Sequence, residues 1–93
     1  MPSAAEANIK IINQLGLHAR AAAQLVRLAG SFKSRITLMR LDNEVVADAK
    51  SILSVLTLAA SRGTELKLTV EGADQQQAFE AVKEIFAKGF GEI

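Results

Sequence analysis

Residues 65–71, Glu-Leu-Lys-Leu-Thr-Val-Glu, decide the fold because they alternate between apolar and polar side chains without interruption. Successive side chains of a β-strand point to opposite faces, so Leu66, Leu68 and Val70 face a core while their neighbours face water. Strands of a parallel sheet are apolar on both faces, whereas an antiparallel sheet can have one face in water. This segment therefore predicts an antiparallel sheet that is covered on one face only.

Three further segments are predicted strands. Residues 8–13 are short and β-branched, and residues 34–40 alternate in the same way as the first segment. Asp42 and Asn43 suit a tight turn because both residue types tolerate positive φ. Residues 44–47 then return as the strand that pairs with residues 34–40.

Three other segments are predicted helices; the first and third have the spacing of an amphipathic helix, and the second is a short apolar helix. The first begins at His18 and ends at Gly30, because glycine accepts the left-handed conformation that closes a helix. The second begins after Ser51, whose hydroxyl suits an N-cap. The third follows Asp74 and Gln77, which form a capping-box pattern. The apolar positions of the three segments are Ala19, Ala22, Ala23, Val26 and Ala29, then Ile52, Leu53, Val55, Leu56 and Leu58, then Ala78, Ala81, Val82, Ile85 and Phe86.

The predicted order of elements is β-α-β-β-α-β-α. An antiparallel sheet of four strands with all three helices on one face is the α+β arrangement that buries the apolar side of each element. We expect residues 1–93 to form a single domain. Residues 1–7 are small and polar, and we expect them to form a loose N-terminal tail.

Composition narrows the class of function. Eleven basic and ten acidic residues give a net charge of +1, which argues against nucleic acid or an anionic membrane as the main partner. The chain has no cysteine and one histidine, so neither a disulfide nor a metal site is expected. No apolar stretch approaches the ~20 residues of a membrane span, and residues 1–6 lack the features of a secretory signal. We expect a cytoplasmic protein.

Residues 16–20, Gly-Leu-His-Ala-Arg, place His18 at the start of the first helix. A helix N-terminus offers unpaired N–H groups and the positive end of the dipole, which favour a bound phosphoryl group. The same positive end disfavours the imidazolium, so a neutral, nucleophilic imidazole is expected. Arg20 can hold a phosphate oxygen with its planar guanidinium. The segment is a candidate phosphohistidine site, unless His18 only caps the helix and Arg20 is a surface charge.

The segment that starts at Ser51 offers two further features. Ser51 either caps its helix or is also a phosphorylation site, whose charge would block a partner bound to the apolar residues beside it. Ile52, Leu53 and Leu56 belong to an apolar run that surrounds most of a short helix. That run is either buried all round or partly exposed to a partner. The chain shows no paired carboxylates, phosphate-binding glycine loop or Ser-His-Asp order, so catalysis on a bound small molecule has little support.

Residues 16–22, Gly-Leu-His-Ala-Arg-Ala-Ala, resemble the active-site signature of HPr, the histidine phosphocarrier of the phosphoenolpyruvate phosphotransferase system. Residues 49–53 resemble the regulatory serine segment of that family, and residues 55–64 resemble the stretch that follows it. The predicted order of elements is similar to the open-faced β-sandwich of HPr over nearly the whole chain.

The resemblance implies a stoichiometric phosphoryl carrier, without a bound cofactor, rather than a turnover enzyme. His18 stands where the family accepts a phosphoryl group on Nδ1 from phosphorylated enzyme I, and Arg20 stands where an arginine assists. Phosphoenolpyruvate is the ultimate donor and an enzyme IIA domain the acceptor. Ser51 matches a serine that a dedicated HPr kinase modifies in some bacteria, and a carrier that alternates partners is expected to be a monomer. The implied partner surface comprises Arg27, Ile52, Leu53 and Leu56.

One position departs from the family pattern, which commonly has proline where this chain has Ala21. Proline has no N–H and holds the first helical turn rigid, whereas alanine adds a free N–H. We expect a working site with altered phosphohistidine stability or partner choice. Residues 86–90, Phe-Ala-Lys-Gly-Phe, resemble the nitrogen-type branch of the family, so sugar uptake and nitrogen-type regulation both stay open.

Two functions of other classes also stay open. One is a regulatory binding module in which phosphorylation of Ser51 controls docking and His18 is vestigial. The other is a small-ligand domain of ferredoxin-like outline in which His18 is a simple cap. Replacement of His18 by alanine distinguishes a regulatory binding module from a phosphoryl carrier, because it should abolish phosphoryl transfer and leave docking intact.

Overall fold

One four-stranded sheet organises the computed structural model, which describes residues 3–92. Its strands are β1 (Ala5–Lys10), β2 (Arg35–Arg40), β3 (Val46–Asp48) and β4 (Glu65–Glu71). They lie in the order β1-β4-β2-β3, and each neighbouring pair is antiparallel. The predicted antiparallel sheet is confirmed.

Three helices pack on one face of the sheet and leave the other face open. They are α1 (Ala19–Gly30), α2 (Ile52–Thr57) and α3 (Gln75–Ala87), and a short 3-10 turn follows at Gly89–Gly91. The order β-α-β-β-α-β-α and the α+β class are as predicted, whereas the 3-10 turn was not expected. Within the helical layer, α1 packs against both α2 and α3.

The core lies between the sheet and the helices. In β4 the side chains of Leu66, Leu68 and Val70 are fully buried and alternate with more exposed neighbours, as the sequence predicts. Burial of each such side chain contributes about 1.5–3 kcal/mol to folding. The same buried cluster includes Ile36 and Leu38 of β2, Ala22 and Leu25 of α1, and Ala78, Val82 and Phe86 of α3.

Strand β1 begins three residues earlier than predicted. Ala5 and Ala7 pair with Val70 and Leu68 of β4, so residues 5–7 are part of the sheet and not of a loose tail. Alanine has a low intrinsic β-propensity, but a long partner strand supplies a complete hydrogen-bonding edge that overrides it. Residues 1–2 of the predicted tail lie outside the described residues.

The hairpin between β2 and β3 forms where predicted, and Asp42 and Asn43 lie in its turn, but the positive φ falls on the residue that follows them. Neither Asp42 nor Asn43 has a positive φ; Glu44 does, at 60°. Asn43 contributes through its side-chain oxygen, which accepts a hydrogen bond of 3.0 Å from the N–H of Val45. The turn is therefore longer than predicted, and β3 begins at Val46 instead of residue 44.

The predictions for the ends of two helices need correction. Gly30 is the last residue of α1, but it is not left-handed; the helix ends at Ser31, whose right-handed backbone (φ −79°) donates to carbonyls of the last turn. Asp74 precedes α3 without capping it, because its carboxylate accepts hydrogen bonds from Lys33 and Ser34 instead.

The buried face of α1 also differs from the predicted one and consists of Ala21, Ala22, Leu25 and Ala29, since the large Leu25 points into the core.

Candidate functional site

His18 is the N-cap of α1, as the change of sequence pattern predicts. Its backbone is extended, with φ −71° and ψ 177°, and its carbonyl oxygen accepts the first helical hydrogen bond, from Ala22 at 2.8 Å. The imidazole Nδ1 accepts a long hydrogen bond of 3.3 Å from the N–H of Arg20. Nδ1 therefore lies at the positive end of the α1 dipole, where the unpaired N–H groups of the helix are found.

Gly16 fixes the course of the loop that leads into His18. Its φ is +66°, and a Cβ at this position would lie 2.5 Å from the carbonyl oxygen of Ala60 and 2.7 Å from the Cα of Ser61. Only glycine fits this close approach without strain. The N–H of Leu17 donates to the same Ala60 oxygen at 2.9 Å, so the loop before α1 is docked against the segment after α2.

The other ring nitrogen of His18 contacts a carboxylate from the opposite end of the chain. Nε2 of His18 is hydrogen-bonded to Oε2 of Glu92, and the two side chains are 27% and 17% exposed. The turn Gly89–Gly91 directs Glu92 back towards α1, and the buried Phe90 anchors this turn with a positive φ of 55°. The sequence analysis missed Glu92, because nothing local links residues that are 74 positions apart.

Asn13 holds Glu92 in place. Its amide nitrogen Nδ2 donates to Oε1 of Glu92 and to the carbonyl oxygen of Gly16, each at 2.9 Å. The side chain is buried, and its Oδ1 has no hydrogen-bond partner among residues 3–92. The hydrogen bond from Asn13 lowers the pKa of Glu92, and the contact with His18 lowers it further. Glu92 is therefore an anion at neutral pH.

Arg20 is exposed, and its guanidinium forms no hydrogen bond or ion pair with any of residues 3–92. Its charge is close enough to contribute to the lowered pKa of Glu92, so the guanidinium lies on the same side of the site. It is available to a negatively charged group that approaches His18. The geometry thus places an acceptor nitrogen, a helix N-terminus and an arginine within one surface site.

Ser51 is the N-cap of α2, as predicted. Its Oγ accepts a hydrogen bond of 3.3 Å from the N–H of Ser54. Of the apolar run that follows, Val55 and Leu58 are buried in the core, whereas other members are exposed. The run is thus not buried all round. The exposed members are Ile52, Leu53 and Leu56, at 40%, 74% and 37%.

The exposed residues of α2 lie beside α1, because the two helices pack against each other. Arg27 is exposed on α1, so the structure brings the predicted partner residues onto neighbouring helices. Leu15, in the loop before His18, is 67% exposed and was not predicted. Its only sequence signal is a large apolar side chain in a loop, which is too common to be informative.

Three further features of residues 3–92 concern metal ions, membranes and small molecules. Residues 3–92 contain no group of three or more histidine, aspartate or glutamate side chains that could hold a metal ion. In that part of the chain no helix has the length and apolar character to cross a membrane. An apolar depression between α1 and α3, lined by Leu28, Ile85 and Phe90, does not include His18. His18 lies outside this depression, and its side chain is partly exposed at the surface.

Comparison with known proteins identifies the family. The family model described as "PTS HPr component phosphorylation site" matches residues 5–88. The chain belongs to the HPr family. It is 48% identical over 82 residues to phosphocarrier protein HPr of Cupriavidus necator. The matched residues make up 88% of this chain and 90% of that protein.

Solved structures of HPr proteins share the fold. HPr-C-His from Thermoanaerobacter tengcongensis matches with a TM-score of 0.90 and 37% identity, over 96% of this chain and 98% of that one. A structure described as an HPr dimer from the same organism matches with a TM-score of 0.75 and 38% identity, over 90% and 94% of the two chains. The predicted open-faced β-sandwich of HPr is therefore confirmed, and the chain is an HPr phosphocarrier of the phosphotransferase system.

Proposed function

We propose that this HPr-family chain accepts a phosphoryl group on Nδ1 of His18 from phosphorylated enzyme I and passes it to an enzyme IIA domain. The observation that carries the proposal is the orientation of the imidazole. Nε2 is engaged by Glu92, while Nδ1 lies at the start of α1 beside Arg20. The nitrogen that remains available to a partner is thus the one that lies where an anion is stabilised.

In the proposed step the lone pair of Nδ1 attacks the phosphorus in line with the bond to the donor. That bond breaks, its electron pair leaves with the donor, and a bond between Nδ1 and phosphorus forms. The Arg20 guanidinium and the N–H groups of Arg20 and Ala21 stabilise the transferred oxygens. Enzyme I takes its phosphoryl group from phosphoenolpyruvate, so the chain itself needs no bound cofactor. In this proposal the reaction takes place in the cytoplasm.

The partly exposed position of His18 at the protein surface suits a carrier. A group that must fit two large proteins in turn is positioned by those partners and not by a pocket of its own. We propose that the partner surface consists of Arg27 on α1 and of the exposed apolar residues on α2, and that a monomer presents it. The apolar members are Ile52, Leu53 and Leu56.

Phosphorylation of Ser51 by an HPr kinase is a second, regulatory function that one observation favours. The serine hydroxyl caps α2 directly beside the exposed Ile52 and Leu53. A phosphate at this position would be stabilised by the helix dipole but would place about two negative charges next to the apolar partner surface. Phosphorylation is therefore expected to weaken docking without unfolding α2.

Phosphoryl transfer in vitro tests the proposal. The chain is incubated with enzyme I, Mg²⁺ and phosphoenolpyruvate, and the intact mass is measured for an acid-labile adduct of about 80 Da. We expect the adduct in the wild type and its loss in His18→Ala. An adduct that persists in His18→Ala, or a folded wild type that forms none, would contradict a carrier function. In the second case His18→Ala should still bind its partners, as a regulatory docking module requires.

A further inference from the structure

We infer that Glu92 is a positioning residue that fixes the tautomer of His18 and stabilises the positive charge that phosphoryl transfer creates on its ring. The inference deepens the proposed function and rests on it for the transfer step. The contact itself does not depend on any partner, because both side chains belong to the free chain. Glu92 touches His18 through Nε2 and not through the reacting Nδ1.

The direction of each hydrogen bond in the site determines where the imidazole proton lies. The Nδ2 of Asn13 faces two oxygens, of Gly16 and of Glu92, so the amide cannot turn round without placing Oδ1 against both. Glu92 is an anion and offers only acceptors. The neutral ring of His18 must therefore carry its proton on Nε2, which leaves the lone pair on Nδ1, at the start of α1.

The same arrangement accounts for charge and protons during transfer. When Nδ1 bonds to phosphorus, the ring retains the proton on Nε2 and becomes cationic. The carboxylate of Glu92 then faces that charge directly, as the buried aspartate of a serine protease faces its histidine. No proton has to leave the ring when the group arrives, and none has to return when it departs.

The backbone holds Glu92 independently of His18. Phe90 is buried and packs edge-to-face on Phe86, with ring centroids 5.0 Å apart. The N–H groups of Gly91 and Glu92 donate to Lys88 and Gly89, each at 3.0 Å. Because the turn is anchored in this way, a substitution at residue 92 should alter the contact with His18 more than the fold.

Two substitutions of Glu92 should change the tautomer of His18 in different ways. In Glu92→Gln the amide oxygen keeps the hydrogen bond from Asn13, so the amide NH₂ is directed at Nε2 of His18. That donor favours the tautomer with the proton on Nδ1, which has no lone pair for phosphorus. Glu92→Ala removes the constraint and allows both tautomers. Glu71→Gln is the matched control, because it removes the same charge at the far end of β4. There the backbone of Glu71 lies opposite Arg35 of β2.

Nitrogen-15 NMR of the histidine ring, recorded over a pH series and evaluated where the ring is neutral, reports the tautomer of His18 without any partner. We expect the Nε2–H form in wild type and Glu71→Gln, the Nδ1–H form in Glu92→Gln, and a mixture in Glu92→Ala. Thermal unfolding confirms that each variant is folded. If Glu92→Gln does not fold, Glu92→Ala decides alone. A wild-type tautomer in both variants at residue 92 would overturn the inference.

Rapid-quench measurement of transfer from phosphorylated enzyme I supplies the second readout. We expect Glu92→Gln to be slower than wild type by roughly ten- to a hundredfold, Glu92→Ala to lie between them and Glu71→Gln to match wild type. Equal rates in wild type and Glu92→Gln would overturn the role in transfer. A folded wild type that accepts no phosphoryl group would instead refute the proposed function, and the tautomers would still decide whether Glu92 orients His18.

Discussion

The hydroxyl of Ser34 donates a hydrogen bond of 2.6 Å to the carboxylate of Asp74, and the N–H groups of Lys33 and Ser34 donate to the same carboxylate at 2.9 Å. Residues 33 and 34 precede β2, whereas Asp74 precedes α3. One carboxylate therefore joins the start of the sheet's second strand to the start of the last helix. This relationship replaces the helix cap that the sequence predicts for Asp74.

The bond makes folding stability depend on pH. The Ser34 hydroxyl, followed by the Lys33 N–H, lowers the pKa of Asp74. In the unfolded chain the pKa of Asp74 is about 3.9, and its lower pKa in the folded chain means that the ionised carboxylate stabilises the fold above that pH. This stabilisation is lost as the pH falls through the pKa of Asp74 in the folded chain. We expect Asp74→Asn to lower Tm by about 5 °C at neutral pH and much less near pH 2. Thermal unfolding at both pH values measures this, and a constant difference would contradict it.

Gly16 is expected to tolerate no side chain. A Cβ would lie 2.5 Å from the Ala60 oxygen, on a backbone with φ +66°. Gly16→Ala should cost about 2 kcal/mol or more and displace the loop that carries His18. Gly30→Ala is the control, since no atom lies within 4 Å and the substitution should stabilise α1 by about 0.5 kcal/mol. Urea unfolding compares the two; equal effects of both substitutions would be inconsistent with the close approach.

Leu53 is expected to contribute to docking and not to folding. It is 74% exposed on α2, so its replacement creates no cavity. Leu53→Ser should raise the KM for transfer from enzyme I by about tenfold while Tm stays nearly unchanged. Val46→Ser, at another exposed apolar position, on β3, should change neither KM nor Tm. An unchanged KM in Leu53→Ser would remove α2 from the proposed partner surface.

The charge of a phosphorylated Ser51 can be separated from the loss of its cap. Aspartate is as good an N-cap as serine, whereas alanine at this position should cost about 1 kcal/mol. Ser51→Asp is therefore expected to keep wild-type stability but bind partners more weakly, and Ser51→Ala is expected to show the reverse. Calorimetric titration with enzyme I and urea unfolding distinguish the two effects. Undiminished binding by both Ser51→Asp and the kinase-treated chain would argue against regulation here.

Ala21 is expected to influence the lifetime of the phosphohistidine. It lies in the first turn of α1, and its N–H is one of the donors at the helix start that proline would remove. Ala21→Pro should change the half-life of the phosphorylated chain without unfolding α1, because proline is tolerated in a first helical turn. Half-lives of the two purified phosphoproteins, measured by intact mass, test this. Identical values would show that Ala21 has no effect of this kind.

Short-range patterns predicted most of the fold. The strict alternation in residues 65–71 and the N-cap at Ser51 follow from neighbours in the sequence, and both are confirmed. The start of β1 at Ala5 could not be predicted, because alanine gains its strand conformation from pairing with β4. Asp74 fails as a predicted cap for the same reason, since residues 40 positions away compete for its carboxylate.

The residues of the candidate site also include some that sequence neighbours predict and others that depend on long-range contacts. His18 and Arg20 were predicted because a helix start and a basic side chain are both visible within five residues. Glu92 and Asn13 were not, since their role arises only when the last turn folds back onto the loop before α1. The position of the proposed phosphoryl acceptor is thus predictable from neighbouring residues, whereas its orientation depends on the folded chain.

The contact between His18 and Glu92 also sets an order of events during synthesis. A ribosome adds residues one at a time, at about 5–20 per second, and domains generally fold as units. The histidine is made early, but the carboxylate that orients it follows 74 residues later. A nascent chain therefore exposes an unoriented His18 at least until residue 92 has been translated, and the oriented site appears only when the turn Gly89–Gly91 has docked.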